Sequence, residues 1–480
     1  MKKVLFVLFI TLLLISCAGE KDFAEVTKAE NETTSITEID PLRPNIDEVN
    51  FGGNDFRVLY PFQANFTYQH ADEEIGESVN DMLYARDRTI EEQLNIKIKY
   101  TVVATLNDVY PRVNQDVMAG DYTFELVLNH CNMNLVAYIE NKLVLDWYDI
   151  PNIDLEKAYW NQNMNKSLAV QGTLPIAVSD YVIANPVLIF FNMSILNSNN
   201  LKSPYELVAS GKWTWDELIS MTSGVTYDLN GDGKMDAEDA YGIVIDVSGS
   251  SYMLRNLPSS CGQFIYSRDN SGNLFCSVNT EKMQLFLEKI VTLFKDGGGY
   301  LLKYGDARVI EKQAGFFGNG TYLFYLVDSL LAEQYRSIDF EYGILPMPKY
   351  DERQEDYYAL NWSGLMLIPR TVKDTSYIGT VVEWLSYYGH TMVQPELFKT
   401  LMDEKIARDD KSAEMLKLIF NSLVYDPGIN FISSKFYSFF DSMVIGKNIN
   451  LSSYYASNEA GEITYIEKIN NIFLDFKNSK

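Results

Sequence analysis

The densest chemical signal in the chain is the run Asp228-Leu-Asn230-Gly-Asp232-Gly233-Lys234-Met-Asp236-Ala-Glu238-Asp239. Side-chain oxygens stand at the first, third, fifth and ninth places of a twelve-residue loop, with Gly233 at the sixth, where such a loop must turn sharply. Lys234, at the seventh, would supply its backbone carbonyl. Calcium is a hard cation that takes six to eight oxygens, and one tight loop can offer them. The spacing therefore predicts a structural Ca2+ site on Asp228, Asn230, Asp232, Lys234, Asp236 and Asp239. The twelfth place is Asp239 rather than Glu, a shorter carboxylate, so weak affinity is expected, with Glu238 as a substitute ligand. The competing reading is an acidic, solvated surface turn.

A second signal lies at the N-terminus. Lys2 and Lys3 precede an apolar run from Val4 to Ile15, too short to span a bilayer, which takes about 20 residues. Leu14-Ile15-Ser16-Cys17 follows, the lipobox pattern of bacterial lipoproteins: residues 1–16 read as a signal peptide and Cys17 as the lipidated first residue of the mature chain. Buried lipid CH2 groups anchor without a transmembrane helix. Residues 17–53 contain few aromatics and many polar residues, with Pro41 and Pro44 near the end. Such a segment cannot bury enough apolar surface to offset its ordering entropy and reads as a flexible tether. These features predict an extracytoplasmic, membrane-anchored protein.

Other chemistry is sparse. Cys131, Cys261 and Cys276 show no zinc spacing, and the chain has only 3 His, so a His-based metal site is not expected. Cys261 and Cys276 flank a hairpin in which a disulfide is sterically plausible; two reduced, partly buried thiols is the preferred expectation. GxSxG, HExxH and Cys/His motifs are absent. The formal charge of -25 disfavours nucleic acid, anionic lipid surfaces and highly anionic ligands as partners.

Elements able to position a site follow from about Asn54. Apolar content of 47% and aromatic content of 13% mark a folded chain long enough for two lobes. Short strands at 56–60, 96–103 and 124–128 alternate with helical spacing at 76–94 and 106–118, which implies a mainly parallel sheet flanked by helices. Residues 174–192 look extended. Thr214 with Glu217 makes a capping box. A strong amphipathic helix runs 281–294, strands are expected at 321–327, 341–348 and 365–369, and the chain is mostly helical from 375.

Several of these pieces together resemble the extracellular solute-binding proteins of carbohydrate ABC importers, family 1, the maltodextrin-binding type. They are the lipobox; Trp213-Thr-Trp-Asp-Glu-Leu218; Phe317-Gly-Asn-Gly-Thr-Tyr322 before an apolar strand; Tyr342-Gly-Ile-Leu-Pro-Met-Pro-Lys349; and Leu365-Met-Leu-Ile-Pro369. One departure is Val327-Asp328, where the family often has Gly-Trp. The resemblance implies an α/β, two-lobe, periplasmic-binding-protein-like fold of type II, with hinged lobes closing on a ligand in the cleft. Lobe 1 would hold 54–185 plus 365–392, and lobe 2 186–364 plus 393–480. It implies a monomer that captures a sugar or oligosaccharide and passes it to the transmembrane subunits of an ABC permease.

Open α/β sheets bind ligands at the carboxyl ends of their strands. Sugars need aromatic faces together with amides and carboxylates for hydroxyl pairs. Those two rules select Gln63 after the first strand, Asn129 and His130 after the strand ending at Leu128, and Asp180 and Tyr181 at the first crossing. They add Asp328 at the end of an apolar strand, then Asn361 and Trp362 before the last crossing, Trp362 being the first choice for stacking. Two rival readings are a secreted glycan-acting hydrolase using paired carboxylates and a glycan-binding surface lipoprotein not coupled to transport.

Overall fold

The computed structural model describes residues 40–62, 69–248, 250–303, 316–330, 338–402 and 410–479. The leader, Cys17 and Gln63 lie outside the described residues.

Alternating apolar positions drive the first part of the chain into strands separated by amphipathic helices. β1 (Asn54–Pro61), β2 (Ile96–Val103) and β3 (Leu126–His130) are joined through helices Ser78–Leu94 and Leu106–Ala119. β1 lies parallel to both β2 and β3, each reached through a helical crossover. The remaining strands are β4 (Val187–Asn192), β5 (Tyr241–Asp246), β6 (Tyr266–Arg268), β7 (Leu274–Cys276), β8 (Gly299–Leu302), β9 (Tyr322–Asp328), β10 (Tyr342–Leu345), β11 (Ala359–Leu360), β12 (Gly364–Leu367) and β13 (Leu423–Val424).

Among the described residues these make two principal sheets. The first has the order β12-β3-β1-β2 and the second β10-β4-β9-β5-β8. β3, β4, β9, β10 and β12 are buried at every position, the pattern of strands covered on both faces. The chain passes from one sheet to the other ahead of β4 and returns between β11 and β12. The two passages meet where Pro186 pairs with Asn361, and β11 is supported there by β13. β12 runs antiparallel to β3, pairing Gly364 with His130, and β4 runs antiparallel to β9, pairing Val187 with Asp328. Both registers bring carboxyl ends of strands to the crossing. That juxtaposition positions the site.

Three sequence expectations shift. The third strand ends at His130 rather than Leu128, so Asn129 and His130 belong to β3 and pair with β12. Thr214 caps the helix Trp215–Thr222 by accepting from the Glu217 amide at 3.3 Å, while the Glu217 carboxylate takes Lys202 instead of completing the reciprocal bond. The helix Gln394–Met402, expected in lobe 2, packs against Ser78–Leu94 of the first sheet's layer. The reason is local: Thr375–Tyr388 runs on through the π-turn Gly389–Val393 into Gln394–Met402 as one rod, so the chain does not cross over there. Gly389 abuts the Asp180 carbonyl so closely that a β-carbon would lie 2.2 Å from it, and any side chain would push this rod off the first crossing.

The three described cysteines are free thiols. No helix among the described residues is long and apolar enough to cross a membrane.

Glu383 is buried inside this rod, accepting from Tyr159 Oη at 2.6 Å and Trp160 Nε1 at 2.8 Å. Burial outweighs these bonds and pushes its carboxyl up to about 7. A carboxyl whose folded pKa is raised contributes stability that is complete below its unfolded pKa, near 4.3, and is lost as pH rises through about 7. The loss is up to about 3 kcal/mol. The unfolding free energy of wild type minus that of Glu383→Gln, measured by urea denaturation, is expected to fall between pH 5 and pH 8. A difference that stays flat would show that the carboxyl is ionised throughout.

Candidate ligand site at the lobe crossing

Trp362 is the centre of the candidate site. It follows β11, its backbone amide donates to the Asn185 carbonyl on the other passage at 3.0 Å, and its side chain is half-buried. One ring face stacks on Tyr252, with centroids 5.2 Å apart and planes 17° from parallel. The imidazole of His130 meets the indole edge-on at 5.3 Å. Both are favoured aromatic geometries.

From this core a circuit of side chains, closed through the backbone between Ser251 and Tyr252, runs across the crossing. Tyr252, in the short helix Tyr252–Arg255 beyond β5, donates its hydroxyl to Asp328 at the end of β9. Ser251 donates to Asp441, and Arg255 Nη2 donates to the same carboxylate oxygen at 2.9 Å. The Arg255 guanidinium also lies over the Tyr437 ring at 4.2 Å. The Tyr437 hydroxyl accepts from Asn132 Nδ2 at 2.8 Å, and Asn132 Oδ1 lies 2.7 Å from His130 Nδ1, which returns the circuit to Trp362. His130, Asn132 and Trp362 come from the first sheet and the return passage. Ser251, Tyr252, Arg255, Asp328, Tyr437 and Asp441 come from the second sheet's layer and the C-terminal helices.

Two atoms of this wall are buried without a hydrogen-bond partner: Arg255 Nε and Asp441 Oδ1. A buried polar atom left unpaired costs about 1–3 kcal/mol, and a charged group more. Burial also lowers the pKa of His130 to about 4, so its ring is uncharged at neutral pH. The wall thus combines stacked aromatic rings, an uncharged imidazole, an Arg–Asp pair and a second carboxylate, a set suited to hydroxyl-rich ring ligands.

The sequence-selected residues divide. His130, Asp328 and Trp362 meet in the circuit. Asn129 is fully buried and spends its amide on Met133 O, the Tyr138 hydroxyl and the His130 amide, bracing the turn after β3. Asn361 is fully buried too, held by the Asn185 amide, Ser363 Oγ and the Tyr425 hydroxyl. Asp180 sits 2.6 Å from His390 Nδ1, and the buried ring of Tyr181 lies against Arg86, whose carboxylate partner is Asp87. Those contacts fasten the first crossing to elements around the first sheet. The strand Tyr241–Asp246 was overlooked in sequence; finding this apolar run would have placed Ser251, Tyr252 and Arg255 just beyond a strand end. Tyr437 and Asp441 carry no local signal, because they arrive from almost two hundred residues away.

The acidic loop 228–239 enters β5 from its other end, roughly 20 Å of strand from the circuit. Gly231 and Gly233 have φ of 75° and 81°, the left-handed turn that position needs. Asp228 accepts from the amides of Gly231 and Gly233, Asn230 from Asp232, Asp232 from Lys234, and Asp236 from Glu238. Asp239 is fully buried and clasps the loop through the amides of Leu229 and Asp236. These oxygens serve the loop's own backbone. Among the described residues no three Asp, Glu, His or Cys side chains are grouped to hold a metal ion.

No family model matches the sequence, and no curated protein matches it. Solved structures do. A cyclo/maltodextrin-binding protein complexed with maltotetraose aligns over 87% of this chain and 97% of its own, with TM-score 0.58 and 13% identity. The cyclic α-maltosyl-1,6-maltose binding protein from Arthrobacter globiformis aligns over 88% and 100%, with TM-score 0.56 and 13% identity. An ABC substrate-binding protein from Listeria monocytogenes in complex with cycloalternan aligns over 88% and 99%, with TM-score 0.53 and 12% identity. The chain has the two-lobe solute-binding fold. At these identities the likeness is one of fold.

His130 is expected to titrate near pH 4 by NMR, with no chemical-shift change at its ring protons between pH 5.5 and 8. Titration near 6.5 would mean that water reaches the imidazole freely.

Proposed function

We propose that this chain is the substrate-binding lipoprotein of an ABC importer, anchored outside the cell membrane through Cys17. It would capture a sugar or oligosaccharide between its lobes and deliver it to a permease as a monomer. The observation that carries this reading is the circuit around Trp362: ring faces and hydroxyl-binding polar groups from both lobes meet at the crossing of a hinged fold. The three similar structures described above are themselves sugar-binding proteins, which supports the ligand class. Lipid attachment rests on the N-terminal pattern alone.

Isothermal titration of residues 18–480 with maltotriose, maltotetraose and cycloalternan tests the reading, with the sugars recovered afterwards. Saturable one-to-one binding of an unchanged sugar is expected, and Trp362→Ala should weaken it about 10–100-fold through loss of stacking and buried area. Cleaved sugar would favour a hydrolase instead.

We propose further that the loop 228–239 takes up calcium weakly, on the strength of its donor types and spacing. Terbium luminescence sensitised by nearby Tyr227, displaced by calcium and abolished in Asp232→Ala, is the expected result. Silence at millimolar terbium would leave the loop a self-capped turn.

A further inference from the structure

The hairpin β6–β7 projects from the second sheet's layer as an arm. It leaves between the short helix Leu257–Ser260 and the helix Glu281–Lys295, which packs on β8. Asp426 fixes its base by accepting from the Ile265 amide at 2.7 Å, and Glu462 accepts from the Tyr266 hydroxyl. Asn470 holds the other strand, accepting from the Leu274 amide and donating to the Leu274 carbonyl, both at 2.9 Å. Glu462 and Asn470 lie on one long helix, Leu451–Lys477, so hairpin and helix form a single unit.

That unit grips residues 167–173, which are fixed to the first sheet's layer. The Leu174 amide donates to Asp146 at 3.0 Å, and Ala177 pairs with Met366 of β12. Arg268 Nε donates to the Ala169 carbonyl at 2.6 Å and Nη2 to the Ser167 carbonyl. These carbonyls stand at the end of the helix Gln162–Leu168, where the last carbonyls lack intrahelical partners and the dipole is negative. Burial lowers the Arg268 pKa to about 10, so the guanidinium is charged at neutral pH. The Gln171 backbone amide donates to the Gly272 carbonyl at 3.2 Å, and its Nε2 donates to Asn273 Oδ1 and to the Asn470 carbonyl, each at 2.9 Å. Lys477 Nζ donates to the Gln171 carbonyl at 2.8 Å. The approach is close: Gly272 has φ of 82°, and a β-carbon there would lie 3.2 Å from the Gln171 backbone. The long helix also packs on Leu135–Glu140, the helix after β3, where Lys468 meets Glu140 at 3.0 Å.

Lobes of a hinged fold part by rotation about the passages that join them. A further attachment beside those passages removes directions of rotation, and the lobes can part only as far as its bonds allow.

We propose that the β6–β7 arm and the helix Leu451–Lys477 restrain lobe opening, holding residues 167–173 so that the ligand-free protein opens only through a narrow hinge motion. The inference rests on the two-lobe fold and is independent of the ligand class.

Small-angle X-ray scattering of the ligand-free soluble chain, residues 18–480, tests it. Wild type is compared with Arg268→Met, which removes both bonds at the helix end, and with Gln171→Ala, which removes the two side-chain bonds and keeps the backbone bond. Thermal melting and a bell-shaped Kratky plot establish that each variant is folded. Each should show a larger radius of gyration than wild type and a longer tail of interatomic distances, and the double variant the largest. A role in stability alone would lower the melting temperature and leave the dimensions of the folded chain unmoved. If Arg268→Met fails to fold, Lys477→Met replaces it, because that bond lies at the exposed end of the helix, and a smaller increase is expected. Dimensions equal to wild type in every folded variant would overturn the restraint and leave the two-lobe fold and the carbohydrate reading standing.

Discussion

Two buried asparagines hold the crossing together. Asn361 Oδ1 accepts from the Asn185 amide at 2.7 Å, and Asn185 Oδ1 accepts from Ser329 Oγ and the Leu330 amide just beyond β9. The Asn361 amide group donates to Ser363 Oγ and the Tyr425 hydroxyl. Each passage between the sheets thus satisfies the other's polar groups in a place without water, where an unpaired amide is costly. The consequence is positional. Trp362 is the next residue after Asn361, and Asp328 the residue before Ser329, so the same clasp aims the stacking ring and sets the carboxylate beside it.

This arrangement separates rigidity from motion. The strands that carry His130 and Asp328 are fully buried and paired on both sides, while Tyr252, Arg255 and Asp441 come from short helices on the second sheet's layer. In a hinged fold, closure moves one such layer against the other around the passages. In the present arrangement the Tyr252 ring covers one face of Trp362. The Tyr252 hydroxyl is tied in turn to Asp328, so the stack is held from the end of β9.

Much of the architecture was legible in one dimension. Buried strands announce themselves as apolar runs and surface helices as 3.6-residue periods, so the β-α-β-α-β opening and the helix at 281–294 were readable within a few residues of Asn54–Pro61, Ser78–Leu94 and Glu281–Lys295. The rule that ligands sit beyond strand ends selected His130, Asp328 and Trp362, which the structure brings together at the crossing. The same rule also selected Asn129 and Asn361, and there it could not discriminate: an amide at a crossing can serve the ligand or the backbone, and its sequence neighbourhood is the same in either case. Asp180 and Tyr181 fell to partners on distant elements, His390 and Arg86.

What the sequence determined by itself was therefore local: the alternation of elements, the apolar strands and the turn geometry at Gly233. Hydrophobic period and turn chemistry are properties of neighbouring residues, and they need no partner to be recognised. Which polar groups meet at the crossing was decided only by tertiary structure. Arg255 and Asp441 stand 186 residues apart, and nothing in either neighbourhood marks it. Folding desolvates both and pairs them across that separation.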